Sequence, residues 1–440
     1  MQIKQMLFPM MSMVLSMAPC SHLHAQGQTP VSQMEKLDRG LVALPAQNQG
    51  IFLSWRLLGT DSKHVFFDVE RDGKIIAHQV KLTNYTDRKG SSANTYRIIT
   101  YQKEPRMDAP AEREVSKAVK PWNDLYRSLP INRPAGGVTP DGKSYEYTPN
   151  DCSMGDVDGD GCDEITYGSA AINHDGTLLY STGLGHGDAQ HLADLDPDRP
   201  GLEYYMVHEE YPYGSDLRDA RTGEILFRTL DKDDTGRGLA ADVDAQHRGY
   251  ELWCSDAPVV RDIKGKPISA ETSLSYKKNH EADHFRSNEK TSFRAVSRMP
   301  AMNFRIYWDG DLQDELLANG RSPHFPPYLQ KWNGKEAVAL PLSNGKQLYE
   351  MGNSVSCNWS KATPNLQADL FGDWREEVIY WDESDASHLN IFTTNIPTEY
   401  RVPTLMHDHI YRMGVAWQNV GYNQPPHLGY YLPDHAERIK

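Results

Sequence analysis

Positive charge is in short supply. The chain has 60 acidic residues against 46 Lys and Arg, a net charge of −14. Such a chain is a poor partner for nucleic acid or anionic membranes. It also repels a polyanionic substrate unless bound cations or a local Arg/Lys cluster invert the field. Long apolar runs are missing too, apart from Met6 to Met17. With one Lys before that run and Ala25 ahead of Gln26, residues 1–25 read as a secretory signal peptide, too short to span a membrane. The mature protein is therefore expected to be secreted or periplasmic. Met17-Ala18-Pro19-Cys20 weakly matches a lipoprotein cleavage site, and Pro19 before Cys20 argues against an anchor there. Only five cysteines occur: Cys20, Cys152, Cys162, Cys254 and Cys357. Export permits disulfides, but the last four allow three pairings that sequence does not separate.

What the chain has in quantity is short acidic loops. Asp156-Val157-Asp158-Gly159-Asp160-Gly161-Cys162-Asp163-Glu164 sets acids at alternate positions around a turn-permitting Gly, an oxygen cage suited to Ca²⁺. Ile165-Thr166-Tyr167 follows as a strand, where an EF-hand would carry a helix. Asp194, Asp196 and Asp198 lead to Glu203, Asp242 and Asp244 lead to Glu251, and Asp369 and Asp373 lead to Glu376. Asp309-Gly310-Asp311 with Asp314 and Glu315 is a looser copy. The first acids are spaced 38, 48, 67 and 60 residues apart, with short Gly-interrupted apolar runs between. An imperfect period of roughly 40–50 residues built from short strands is the signature of β-propeller blades. The competing reading of each loop is an acidic turn without an ion.

Ahead of the loops, Ile51–Trp55, Val65–Glu70 and Thr95–Thr100 read as strands, with a hairpin turn at Arg71-Asp72-Gly73. They predict a small β-sandwich over residues 45–116 with Trp55 in its core, linked through residues 117–149 to a propeller over 130–440. Trp374, Trp381 and Trp417 are expected in the core. Polar groups crowd beside Gly in Gly183–His191 and Asp234–Gly238, and also in Asn358–Lys361 and Trp417–Pro426. Such segments suit ligand binding on a rigid scaffold.

LSWRLLGTD, RPAGG, DVDGDG, GLGHGDAQH, DLRDARTGE, DTGRG, SKATPNLQADLFGDWREE, IPTE and WQNVGYNQPPH together resemble the secreted bacterial family 11 polysaccharide lyases, the rhamnogalacturonan lyases, from about residue 45 to 435. The resemblance implies a fibronectin III-like sandwich and an eight-bladed propeller with structural Ca²⁺, acting on the rhamnogalacturonan I backbone of pectin. It also implies that Asn150, His186, Asn358, Ser360 and Tyr422 hold substrate beside Lys361 and Arg237, with Trp359 where the family usually has Gly. The chain departs from the family at Asp156–Glu164, where a first and a later DxDGDG loop look spliced together. Roughly 200 residues, about four blades, are absent, and with them an Asp and a His of the family's cleft.

The implied reaction is β-elimination at galacturonate. Lys361 would be the base, helped by neighbouring cations, and Arg237 would pair with the uronate carboxylate. A catalytically inactive pectin-binding propeller and a calcium-dependent protein-binding propeller stay open as alternatives. A blade left without its neighbour also predicts self-association, or disorder over residues 150–182.

Overall fold

The computed structural model describes residues 38–102, 112–130, 137–138, 144–145, 164–172, 178–184, 187–209, 213–231, 234–255, 259–269, 300–319, 326–358, 361–419 and 424–439. The expected signal peptide, the first acidic loop up to Asp163, and Cys152 and Cys162 lie outside them. Cys254 and Cys357 are buried thiols. Among the described residues no helix is long and apolar enough to cross a membrane.

Two sheets form the N-terminal sandwich. β1 (Val42–Pro45), β2 (Ile51–Ser54) and β5 (Asn84–Asp87) make one. The other holds β3 (Phe66–Arg71), β4 (Lys74–Val80), β6 (Tyr96–Gln102) and β7 (Glu112–Val115), in the order β4-β3-β6-β7. Asp72 and Gly73 join β3 to β4 with φ of 49° and 77°, the left-handed pair that a two-residue hairpin turn requires. Trp55 is fully buried and packs edge-on to Phe67, as its place in the sequence predicts. β8 (Tyr126–Pro130) and a short hairpin of β9 (Gly137–Val138) and β10 (Ser144–Tyr145) follow.

Five sheets then succeed one another as blades. The first is β11 (Ile165–Tyr167), β12 (Ala170–Ile172) and β13 (Leu178–Ser181). The second is β14 (Gln190–Ala193), β15 (Glu203–His208), β16 (Gly214–Asp219) and β17 (Ile225–Arg228). β18 (Gly238–Ala241) and β19 (Glu251–Cys254) form the third. The fourth is β20 (Phe304–Ile306), β21 (Glu315–Asn319), β22 (Pro327–Trp332) and β23 (Ala337–Ala339). In the fifth, β24 (Ser354–Val355) and β25 (Leu366–Ala368) both pair with β26 (Glu377–Asp382), which pairs with β27 (His388–Phe392). The outer strand of that blade is β8, in register Phe392↔Tyr126 to His388↔Pro130. The stretch expected to be a linker thus closes the last blade.

Blades two to five bury their facing surfaces against one another, and β15 is buried along its whole length. Tyr205, Leu217, Tyr250 and Leu252 join blades two and three; Leu239, Trp253, Leu316 and Trp332 join three and four; Phe304, Leu329, Val378 and Phe392 join four and five. The first blade meets the second differently, with the Arg218 guanidinium over Tyr204 and Tyr180 and donating to the Gly168 carbonyl. The far face of blade five is covered not by a blade but by the C-terminal segment. Val402, Leu405, Met406, Tyr411 and Leu428 pack there against Leu366, Trp374 and Ile391. That segment holds α1 (His409–Ala416), capped by the Asp408 carboxylate on Tyr411 N (2.8 Å), and the short α2 (Leu432–His435).

Of the tryptophans expected in the core, Trp374 is buried, Trp381 is half-buried, and Trp417 is 43% exposed at the end of α1. The turn there points it outward.

Candidate functional site

Two sets of loops leave the innermost strands in opposite directions. The loops that precede β14, β18, β20 and β25 form one rim; the acidic loops that follow β14, β18, β20 and β25 form the other.

On the first rim, residues far apart in sequence converge. Lys361 Nζ lies 3.3 Å from Asp188 Oδ2, with the two side chains 35% and 17% exposed. Arg237 Nη2 donates to the Lys361 carbonyl (3.0 Å), and Asn303 Nδ2 donates to the Ala362 carbonyl (2.6 Å). Four blades therefore contribute to one place. Asn358 and Ala362, which flank the stretch carrying Lys361, have left-handed φ of 59° and 51°, and Lys361 N donates to Asn358 O (3.0 Å). Asn358 Nδ2 locks that stretch by donating to Thr363 Oγ1 (2.7 Å). Gly236 passes close to Asp188, whose carboxylate a Cβ there would reach at 3.8 Å. The structure brings Lys361, Arg237 and Asn358 together. It adds Asp188, from the GLGHGDAQH stretch, and Asn303. The expected cation Arg237 meets Lys361 at its backbone carbonyl, while a carboxylate, Asp188, stands at its ammonium head. Asn150, His186, Ser360 and Tyr422 lie outside the described residues. A cavity of about 1280 Å³ lined by Arg56, Trp122 and Phe371 lies between sandwich and blade five, and none of Lys361, Arg237, Asn358, Asp188 and Asn303 lines it.

On the second rim the loops share one plan. The closing Glu turns back, and one of its oxygens accepts backbone N–H groups of the loop. Glu203 takes Leu195 N and Asp196 N (3.1 and 2.9 Å), Glu251 takes Val243 N and Asp244 N (2.9 and 3.0 Å), and Glu315 takes Trp308 N and Asp309 N (2.9 Å each). In the fifth blade this position is Glu377, which accepts from Phe371 N (3.0 Å). That corrects the assignment of Glu376. Glu376 faces the other way, accepting from Arg305 Nη1 (3.0 Å), Tyr307 N (2.9 Å) and the Tyr411 hydroxyl (2.7 Å). Aligning the loops on their closing Glu would have found this, because successive residues of a strand point to opposite faces. Glu164, which closes the first loop, is exposed; Asp156, Asp158, Asp160 and Asp163 lie outside the described residues.

The oxygens not used this way differ from loop to loop. In the third, Asp242 and Glu251 are 1% and 0% exposed, and both oxygens of Asp242 and Oε1 of Glu251 lack a hydrogen-bond donor. Burial, then the Asp242 charge, push the Glu251 carboxyl up to about 10. Bare buried carboxylate oxygens of this kind fit a hard cation. Asp244, at the same loop, accepts from Gln246 N (3.0 Å). In the second loop Asp194 Oδ1 is bare, Asp196 meets Lys264 Nζ (2.5 Å), and Asp198 meets Arg248 Nε (3.0 Å). In the fifth, Asp369 Oδ1 is bare and Asp373 meets Arg375 Nη2 (2.5 Å). Three carboxylates gather within 4.8 Å of one another, among the described residues, at Asp309, Asp311 and Glu315 of the fourth loop.

The whole chain compares closely with proteins already described. A profile for "Rhamnogalacturonan lyase family 11, C-terminal domain" matches residues 126–162 and 153–440, and one for "Rhamnogalacturonan I lyases beta-sheet domain" matches 32–122. Rhamnogalacturonan endolyase YesW of Bacillus subtilis (strain 168) is 29% identical over 645 residues, with 98% of this chain and 96% of that protein covered. Rhamnogalacturonan exolyase YesX of the same organism is 29% identical over 621 residues, with 91% and 95% covered. The solved structure of YesW superposes with a TM-score of 0.74 at 28% identity, covering 91% of this chain and 97% of the other. Bacillus licheniformis rhamnogalacturonan lyase PL11 gives 0.73 at 29%, with 91% and 97% covered. The alignment to YesW is longer than this 440-residue chain by on the order of 200 positions, about four blades. The two matched stretches of the propeller profile overlap at residues 153–162. That is the acidic loop where the sequence looks spliced. With sandwich and propeller both matched, the chain belongs to rhamnogalacturonan lyase family 11, shortened by an internal deletion of several blades.

Proposed function

We propose that this protein is a secreted rhamnogalacturonan lyase that cuts the rhamnogalacturonan I backbone of pectin by β-elimination at galacturonate. The observation that carries the reading is the convergence of Lys361, Arg237 and Asp188 from three blades on one rim. Arg237 pairs its guanidinium with the uronate carboxylate and draws charge from C5 as the proton leaves. Lys361, as the neutral amine, takes that proton, C4 and C5 become doubly bonded, the C4–O bond breaks, and the departing sugar oxygen leaves as an alkoxide that takes up a proton. His186, Asn150, Asn358, Ser360 and Tyr422 hold the neighbouring sugars.

Calcium at the acidic loops would neutralise clustered carboxylates, and Asp242, Asp244 and Glu251 are the residues best suited to hold it. The N-terminal 25 residues support export, and a blade without its neighbour supports self-association, which light scattering tests. A pectin-binding protein without lyase activity is the second reading, favoured by the loss of several blades. Ultraviolet absorbance of unsaturated uronate, followed on rhamnogalacturonan I with and without Ca²⁺, decides between them. Binding without any rise in absorbance would replace the first reading with the second.

A further inference from the structure

The position directly across from the closing Glu on the next strand differs from blade to blade. The ladder pairs Glu203 with Asp219, and continuing the neighbouring registers by one step puts Asp262 opposite Glu251 and Thr393 opposite Glu377. In blade four the pairing Leu316↔Gln330 continues to Glu315 and Lys331. Facing residues of paired strands stand about 5 Å apart, so register alone delivers a lysine head to the acidic loop. Its Nζ donates to Asp309 Oδ2, to Asp311 Oδ2 (2.7 Å) and to Glu315 Oε1 (2.8 Å). An ammonium has three donors and no acceptor, and here each donor finds one carboxylate.

The second oxygens are also satisfied. Asp309 Oδ1 accepts from Asp311 N (2.9 Å), Asp311 Oδ1 from Gln313 N (3.0 Å), and Glu315 Oε2 from the loop backbone. No oxygen of the trio is bare, in contrast to Asp242 and Glu251 one blade earlier. Like charges stand apart unless a cation draws them together. Among the described residues, three carboxylates close to within 4.8 Å only where Lys331 sits.

We propose that the fourth acidic loop carries its own cation: the Lys331 ammonium occupies the place of a divalent ion among Asp309, Asp311 and Glu315. The loop is then held in metal-free protein, and it binds no calcium.

The test counts calcium bound per chain, by atomic emission after dialysis of the full chain, in wild type, Lys331→Ala and Asp311→Asn. Lys331→Ala should gain one ion per chain and become more sensitive to chelator in a thermal melt. An unchanged count in folded Lys331→Ala overturns the proposal. Should Lys331→Ala not fold, Asp311→Asn decides, because Asp311 is 44% exposed and its loss is tolerable. An equal count with wild type supports the lysine, and the loss of one ion overturns it. The inference rests on the calcium reading of the acidic loops only through this readout. Wild type without any bound calcium defeats that reading, while a gain in Lys331→Ala still supports the lysine.

Discussion

On one rim of the propeller, Lys361, Arg237 and Asp188 are partly exposed and engaged with one another. On the other, Asp242 and Glu251 are buried and carry oxygens with no hydrogen-bond donor in reach among the described residues. Both rims grow from the ends of the same short strands. The difference teaches that one scaffold separates two electrostatic tasks: reactive groups stay reachable and hold each other in place, while structural carboxylates are buried where a proton or a cation must relieve them.

If the rims are separate, damage to one should leave the other's readout alone. Lys361→Ala should lower kcat on rhamnogalacturonan I by on the order of 10²–10⁴-fold, because a base acts in the transition state. Its melting temperature and calcium response should match wild type. A weakened calcium response in that variant would break the separation.

The complementary change is to withdraw calcium. Each filled site stabilises the native state by about 2.7 kcal/mol at a hundredfold excess of ion over Kd, so a melt in chelator should fall well below one in millimolar Ca²⁺. Asp242→Asn should shrink that gap and keep full activity per folded molecule. Identical melts would mean that the acidic loops are turns without ions.

Acid should find a weakness that belongs to neither rim. His191 and His427 meet at 2.9 Å, fully buried, behind the first strand of blade two. Burial lowers the His191 pKa to about 4, against the pull of the Gly238 carbonyl, and lowers that of His427 well below its ordinary value. Since the unfolded imidazoles bind protons first, their contribution is complete above about pH 6.5 and is lost as pH falls toward 4. For His191 alone that is roughly 3 kcal/mol. Denaturant unfolding between pH 7 and 4 should show the loss, and His191→Gln should flatten it. An unchanged slope would mean that other groups set the acid limit.

The smallest effect sharpens the active rim itself. Asp188→Asn should release the Lys361 head from its anchor and lower kcat roughly tenfold, with KM and melting temperature near wild type. A rise in KM alone would make Asp188 a substrate contact.

Much of this was legible in the sequence. The acidic repeat with short strands between gives blades, because a loop of that composition can only be a turn. The shared motifs give the family, and the single DxDGDG loop that joins the start of one family loop to the end of another gives the deletion. The hairpin at Asp72-Gly73 and the buried Trp55 follow from local rules of φ and apolar alternation. What the sequence could not decide is what depends on pairing between distant strands. Glu377, not Glu376, turns into the loop because strand register, not acidity, selects the side chain, and only comparison with the other loops brings that out of the sequence. Residues 126–130 become the outer strand of a blade almost at the other end of the chain. Asp188 reaches Lys361, and Lys331 reaches its three carboxylates, only once the sheets have formed. Sequence spacing fixes which groups a loop can offer; the register of the sheets decides which of them meet, because a shift of one residue sends every side chain to the opposite face.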